Sequence, residues 1–286
     1  MISTTKQDML ITLRLIRKNI LSIVGIVIVS LFVVTSLFVA LTGMLPYDPN
    51  EINMQRRLLP PSFTHPFGTD HLGRDIFSRV LAAAPLDLIV AFTVVSISLI
   101  IGLIIGSVAG YYAGKVDQIL MRITDVFLAF PPLILAVAVA VALGAGIDKL
   151  ILALLIVWWP IYSRMARASA LSIKESFFVK AAKISGLNSL IIIRKHIIPN
   201  TVSTLLIYAT LDMGTVILYA SVLSYLGLGA QPPQSEWGRM VFDGQSYLIQ
   251  AWWSPIIPGL VIFFVALGFN LMGDAIRDIL DPRYRR

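Results

Sequence analysis

Apolar residues in this chain gather in long blocks: Ile20 to Leu45, Leu88 to Tyr111, Val126 to Leu143, Leu150 to Ile161, Thr201 to Leu228 and Pro255 to Met272. About 20 helical residues cross a hydrocarbon core roughly 30 Å thick, and chain in lipid must satisfy its own backbone hydrogen bonds. The pattern therefore predicts six membrane-spanning helices, the fourth of them short unless it includes Tyr162 and its neighbours. Pro131 and Pro132 beside Phe130 predict a break or kink near one end of the third span. Gly102, Gly106 and Gly110 recur every four residues and allow the second span to pack closely against another helix.

Composition agrees with lipid as the solvent. Hydrophobic residues make up 57% of the sequence and charged residues 14%, with a mean hydropathy of +0.83. That leaves too little polar sequence to coat a soluble globule. The first block follows Arg14, Arg17 and Lys18 as a secretion signal would, and "FVALTG" offers a weak cleavage sequence. At 26 residues the block is too long for such a signal and reads as an anchor. The absence of cysteine excludes a disulfide framework, a thiolate metal site and a cysteine nucleophile.

With the N-terminus placed inside, 17 of the 23 Lys and Arg residues fall on the cytoplasmic side. Arg56, Arg57, Arg74, Arg79, Lys149 and Arg239 fall outside, so the positive-inside bias puts both termini in the cytoplasm. The net charge of +7 is then mostly topology. Nucleic acid is not an expected partner, because no soluble segment is long enough for a basic domain with aromatic platforms. The expected order is a cytoplasmic segment (1–19), a first helix (20–45), an extracytoplasmic segment (46–87), a five-helix domain (88–274) containing an inner loop (163–199), and a cytoplasmic tail (275–286) that anchors topology.

The outer and inner segments are too long to be plain connectors. In the inner one, "SIKE" predicts a capping box from Ser172 to Glu175 that opens a short helix through about Ile184. Gly186 can end that helix in the left-handed conformation. Asn188 can start another, and Pro199 marks the start of the next span. Phe177, Phe178, Val179, Ala181 and Ala182 lie beside Lys174, Lys180 and Lys183. A basic loop of this kind either enforces topology on anionic lipid or docks against a protein, with small residues allowing close approach and phenylalanine supplying an anchor.

The stretch resembles the EAA loop of ABC importer permeases: Glu-Ala-Ala, three residues, Gly, and a downstream Ile-x-x-Pro-like ending. Here it reads Lys180, Ala181, Ala182, Gly186, Ile197, Ile198 and Pro199, with lysine in the glutamate position. "HPFGTDHLGRDIFSRVL", "SYLGLGAQPPQSEWGRM" and "NLMGDAIRDILDPR" extend the resemblance to the C-type permeases of dipeptide and oligopeptide importers. The resemblance implies an all-α, MetI-like type I ABC importer permease fold. It implies ATPase coupling through Phe178, Lys180, Ala181, Ala182, Gly186 and Pro199. Implied partners are a second homologous permease, two ABC ATPase subunits and an extracytoplasmic solute-binding protein. Implied cargo is peptide, with oligosaccharides or nickel complexes as alternatives within the same subfamily. The Arg277 to Arg286 tail would contact an ATPase subunit as an alternative to anchoring topology.

Other residues keep two readings each. In "FGTDHLGRD", Asp70 and Arg74 serve either helix capping and packing or an outer platform that touches the binding protein. Trp237 in "SEWGRM" is a second candidate for that contact, whereas Trp252 and Trp253 fit an aromatic belt at headgroup level. His65 and His71 lie near Asp70 without the further ligands a closed metal site needs, so no metal is expected. Asp212 lies at membrane depth, where an acid faces protein or a watery path. By resemblance to path-lining spans, Tyr208, Asp212 and Met213 line translocation.

No Gly-x4-Gly-Lys-Ser/Thr loop, His-Glu-x-x-His helix or Gly-x-Ser-x-Gly elbow occurs. The chain is therefore expected to be non-catalytic and free of cofactor, with ATP and magnesium bound by partner subunits. A proton- or sodium-coupled secondary transporter is the competing class. One intramembrane acid and no clear repeat weigh against it.

Overall fold

The computed structural model describes residues 19–280, with the side chains of residues 279 and 280 excluded. Most of the N-terminal segment and of the "RDILDPRYRR" tail lie outside the described residues. The helices are α1 (Ile20–Thr42), α2 (Ile76–Tyr112), α3 (Gly114–Leu128), α4 (Pro132–Leu143), α5 (Ile147–Lys174), α6 (Phe177–Ile184), α7 (Ser189–Tyr225), α8 (Trp237–Gln245) and α9 (Trp253–Leu280). Among the described residues there is no β-strand, only an isolated bridge between Thr69 and Asp75. Among the described residues, five helices are long and apolar enough to cross a membrane; α3 and α4, bent by 85° at their break, make a sixth if counted as one span.

The chain divides into two compact units. One draws on residues up to Ala91, on Gly144–Leu150 and on everything from Thr210 onward. Within it, α1 starts at Asn19, whose side chain accepts a hydrogen bond from the Leu21 amide, and stops at Gly43 in the left-handed conformation. Its buried residues, Ser22, Gly25, Val29, Phe32, Ser36 and Val39, recur every three to four positions, while Leu31, Val34 and Leu41 are exposed. Ser22, Ser36 and Gly25 thus face protein together with Val29, Phe32 and Val39, while the outward face is wholly apolar at Leu31, Val34 and Leu41, as expected where lipid is the solvent. A Cβ at Gly25 would stand 2.6 Å from Leu271 Cβ, and one at Gly268 the same distance from Ile28 Cγ2, so α1 crosses α9 at backbone contact.

The other unit comprises Phe92–Leu143 and Ile151–Ala209. The three glycines expected to allow close packing do so against α5. Cβ atoms at Gly102, Gly106 and Gly110 would stand 2.3 Å from Tyr162 Cβ, 2.3 Å from the Ser163 carbonyl oxygen and 2.7 Å from Ala170 Cβ.

The sequence reading needs correction on α5. The inner loop was expected to begin at Ser163, but the helix continues to Lys174. Arg164 and Arg167, which look like loop residues, pair with Asp125 and Asp117 of α3, the second pair joined by two bonds, one of 2.6 Å. Charge that was read as a membrane boundary is neutralised helix to helix. The third span is also broken as the proline pair predicted, leaving α4 only 12 residues.

Candidate functional site

The segment after α5 forms a short arm. Ser172 and Glu175 do not make a capping box: Ser172 is still inside α5, and Ser176 precedes α6 with no side-chain cap. The Ser176 hydroxyl instead donates 2.6 Å to the Ile173 carbonyl, closing the last turn of α5. The other two punctuation marks hold. Gly186 adopts φ 79°, and the Gly186 and Leu187 amides donate to the carbonyls of Lys183 and Ala182, a Schellman ending that needs a left-handed residue. Asn188 caps the next helix by accepting from the Leu190 amide at 3.0 Å.

Pro199 does not mark the start of a span. It lies inside α7, which runs without interruption from Ser189, just after a π turn over Ile193–Ile197. Proline supplies no amide to the carbonyl four residues back and its ring crowds that group, so the wider turn absorbs the missing bond.

Periodicity assigns the two faces of α6. Val179 and Ala182 are buried in a cluster with Tyr111, Ala170, Ile192, Ile193 and Ile197. Phe177, Ala181 and Ile184, spaced i, i+4, i+7, face outward, and Phe177 is 93% exposed. Phe178 is half-exposed and leans on the His196 ring. Ala182, expected at the docking surface, therefore packs the arm together, while Ala181 and Phe178 remain accessible. Lys180, in the glutamate position, pairs with Glu175 at 3.0 Å. Its ammonium holds the Glu175 carboxyl below the usual carboxylate range. An acid thus meets the arm at this point from five residues upstream.

The outer candidates are buried. Asp70 Oδ2 accepts 2.7 Å from Arg74 Nε, and its Oδ1 accepts from the Leu72 and Arg74 amides. Arg79 lies 3.8 Å from the same carboxylate, and Arg74 lies 3.6 Å from Asp243. Trp237 is 1% exposed; its indole donates 3.0 Å to the Val80 carbonyl and its ring lies against Phe32. As surface contacts these three are corrected, because the glycine-containing turn before α2 pairs Asp70 with Arg74 internally and α8 lays Trp237 against α2 and α1. Trp253 is likewise buried and donates to the Thr69 carbonyl, while Trp252 is exposed. His65 Nδ1 lies 2.8 Å from Asp75 Oδ1, whose Oδ2 caps α2 by accepting from Ser78, and His71 stacks on Tyr247. Phe63 and Ile249 are the most exposed apolar residues of the outer segments, ahead of Met44, Ile52, Met54 and Trp252. Sequence reasoning passed over both. On α7, Tyr208 is half-exposed and Asp212 and Met213 are half-buried, with Asp212 engaged by a partner group.

Two buried acids were missed, Asp87 of α2 and Glu236. Glu236 caps α8, accepting from the Gly238 amide at 2.9 Å and the Arg239 amide at 2.7 Å, and is electrostatically coupled to Asp87. Burial pushes its pKa up to about 7, against the lowering effect of the amides. The folded chain thus holds a proton that the unfolded chain releases at lower pH, so this stability is full below about pH 4.5 and is lost as pH rises through about 7. Melting of the purified protein should fall by several degrees between pH 5 and 7.5, and Glu236→Gln should flatten that slope. An unchanged slope in the variant would assign the dependence elsewhere.

Residues 102–286 match the family described as binding-protein-dependent transport system inner membrane component, and the chain belongs to it. It is therefore a transport permease component and a multi-pass protein of the cytoplasmic membrane. It is 42% identical to the dipeptide transport system permease protein DppC of Alkalihalophilus pseudofirmus, over 94% of this chain and 88% of the relative. It is 44% identical to the probable D,D-dipeptide transport system permease protein DdpC of Escherichia coli K12, over 83% and 80%. Identity to the glutathione transport system permease protein GsiD of Escherichia coli is 42%, over 90% and 86%. Among solved structures, the inward-facing MetNI methionine ABC transporter matches 68% of this chain and 93% of its own at a TM-score of 0.54 and 21% identity, a likeness of fold.

Proposed function

We propose that this chain is one of two permease subunits of an ATP-driven ABC importer that takes up di- or oligopeptides delivered by an extracytoplasmic binding protein. The relatives are named for dipeptide, D,D-dipeptide and glutathione transport, which supports a small peptide as cargo. The observation that carries the reading is the outward stripe Phe177, Ala181 and Ile184 on a helix whose other face is packed. An apolar stripe on a short arm outside the spans is an anchor for a protein groove.

The arm lies in the cytoplasm with both termini, where the basic residues collect. Two ATPase subunits, holding ATP and magnesium, dock on this arm and on that of the second permease. Their closure draws the arms together and opens the cavity outward; hydrolysis resets it. This chain binds no cofactor and performs no catalysis. Outside, Phe63 and Ile249 meet the binding protein, and the buried Asp70, Arg74 and Trp237 hold the platform in shape. Tyr208, Asp212 and Met213 line the path.

Co-purification with the ATPases encoded beside it tests the docking. Phe177→Ala with Phe178→Ala should lower ATPase retention about tenfold, as loss of an interface anchor does, while membrane insertion is unchanged. Full retention would overturn the assignment of the arm. Asp212→Asn should reduce peptide uptake more than assembly of the complex; equal loss would assign Asp212 to packing.

A further inference from the structure

A second feature of the arm is polar and lies on its other side. A cavity of about 270 Å³ is lined by Tyr111, Tyr112, Lys174, Glu175, Val179, Lys180, Lys183 and Ser189. The Tyr111 hydroxyl donates to Ser189 Oγ at 3.4 Å, which fixes the back wall. Glu175 is the one carboxylate in the lining, and it is committed to Lys180. Lys174 and Lys183 have no carboxylate within 4 Å among the described residues. Three ammonium groups face one carboxylate in this lining, so the cavity carries an excess of positive charge. The lysines can only donate, and the Tyr112 and Ser189 hydroxyls add donors, the Tyr111 proton being taken up by Ser189.

We propose that this cavity binds a phosphate group, with Lys174 and Lys183 as its charge partners and the Tyr112 and Ser189 hydroxyls as further donors. An oxyanion with several acceptor oxygens matches a donor-rich lining, and charge-assisted bonds of this type are the strong ones. Two sources share that chemistry: the headgroup of an anionic phospholipid and free phosphate. The surroundings favour lipid. Tyr112, half-exposed, ends the long apolar helix α2, a position typical of headgroup level. Val116, Ile119 and Ile123 form an exposed apolar stripe on α3 starting one turn further on, a surface suited to an acyl chain. Basic pockets beside spanning helices bind such headgroups elsewhere. The inference does not depend on what docks against Phe177, which lies on a different face of the arm.

The test uses the purified permease complex in detergent, as wild type, as Lys174→Gln with Lys183→Gln, and as Lys174→Arg with Lys183→Arg. Phosphatidylglycerol and phosphatidylethanolamine retained after washing are quantified by lipid extraction, and labelled inorganic phosphate is measured by equilibrium dialysis. Wild type should retain phosphatidylglycerol in preference to phosphatidylethanolamine, the glutamine variant should lose that preference about tenfold, and the arginine variant should keep it. Phosphate bound by wild type and lost in the glutamine variant, without lipid preference, would leave the site standing with free phosphate as its source. If the glutamine double variant fails to assemble, Lys183→Gln alone, at an exposed position, carries the same comparison with about threefold loss. Equal retention of both ligands by wild type and the glutamine variant would overturn the proposal. So would unchanged retention accompanied by loss of the ATPases, which would make the lysines contacts for an acidic protein surface.

Discussion

Gly106→Leu yields no folded permease. A Cβ at this position would stand 2.3 Å from the Ser163 carbonyl oxygen and 2.6 Å from Ala166 Cβ, and the Arg167 amide lies 2.7 Å away. Two of these three atoms are backbone, so no rotamer change relieves the clash and α2 must separate from α5. Overpacking by a single site costs about 1–3 kcal/mol where side chains can shift. Here the whole crossing shifts, and with it the Gly102 and Gly110 contacts on either side. Size-exclusion chromatography should show loss of most monodisperse protein. Gly259→Ala is the matched control: its Cβ would meet nothing nearer than Val241 at 4.0 Å, and the variant should behave as wild type. Normal elution of Gly106→Leu would mean that α2 and α5 do not touch at this point.

Ala182→Asp uncouples the arm without touching its docking face. Ala182 is buried against the residues of α2, α5 and α7 that hold α6 in place. An unpaired carboxylate there costs on the order of 3–5 kcal/mol, against an arm whose own helix is only eight residues long. We expect uptake to fall at least a hundredfold, and limited proteolysis to cut at residues 185–188. Insertion should be preserved, because the spans are unaltered. Phe177→Ala should reduce ATPase retention with no new cleavage, so the two variants separate a collapsed arm from an intact arm that has lost its anchor. Protection from protease in Ala182→Asp would place the residue at the surface after all.

The two variants also mark where the sequence was legible. Apolar blocks announced the spans, since a helix in lipid must be apolar over its whole length. Gly186 and Asn188 announced the arm's ends, because local backbone chemistry decides them. The length of α5 was hidden, because Arg164 and Arg167 look like a membrane boundary until Asp117 and Asp125 are seen beside them, some 40 to 50 residues away in sequence. Pro199 misled for a related reason: a π turn let the helix continue through it. Asp70 and Arg74 kept a capping and packing reading beside the surface one, and burial favours the former, while Trp237 was only a candidate surface contact and is buried too. Their burial depends on a fold-back that no short window encodes. The faces of α6 follow from its period once its start is known, but the start was misjudged with Ser172.

Ala170 belongs to two contacts at once. Its Cβ meets the backbone of α2 at Gly110, and it also belongs to the cluster that grips α6, together with Tyr111, the next residue of α2. Between α6 and α2 there is no flexible joint to take up slack. A push on the arm is delivered to the spanning helix within one residue, so the arm works as a crank fixed to its shaft rather than as a tether.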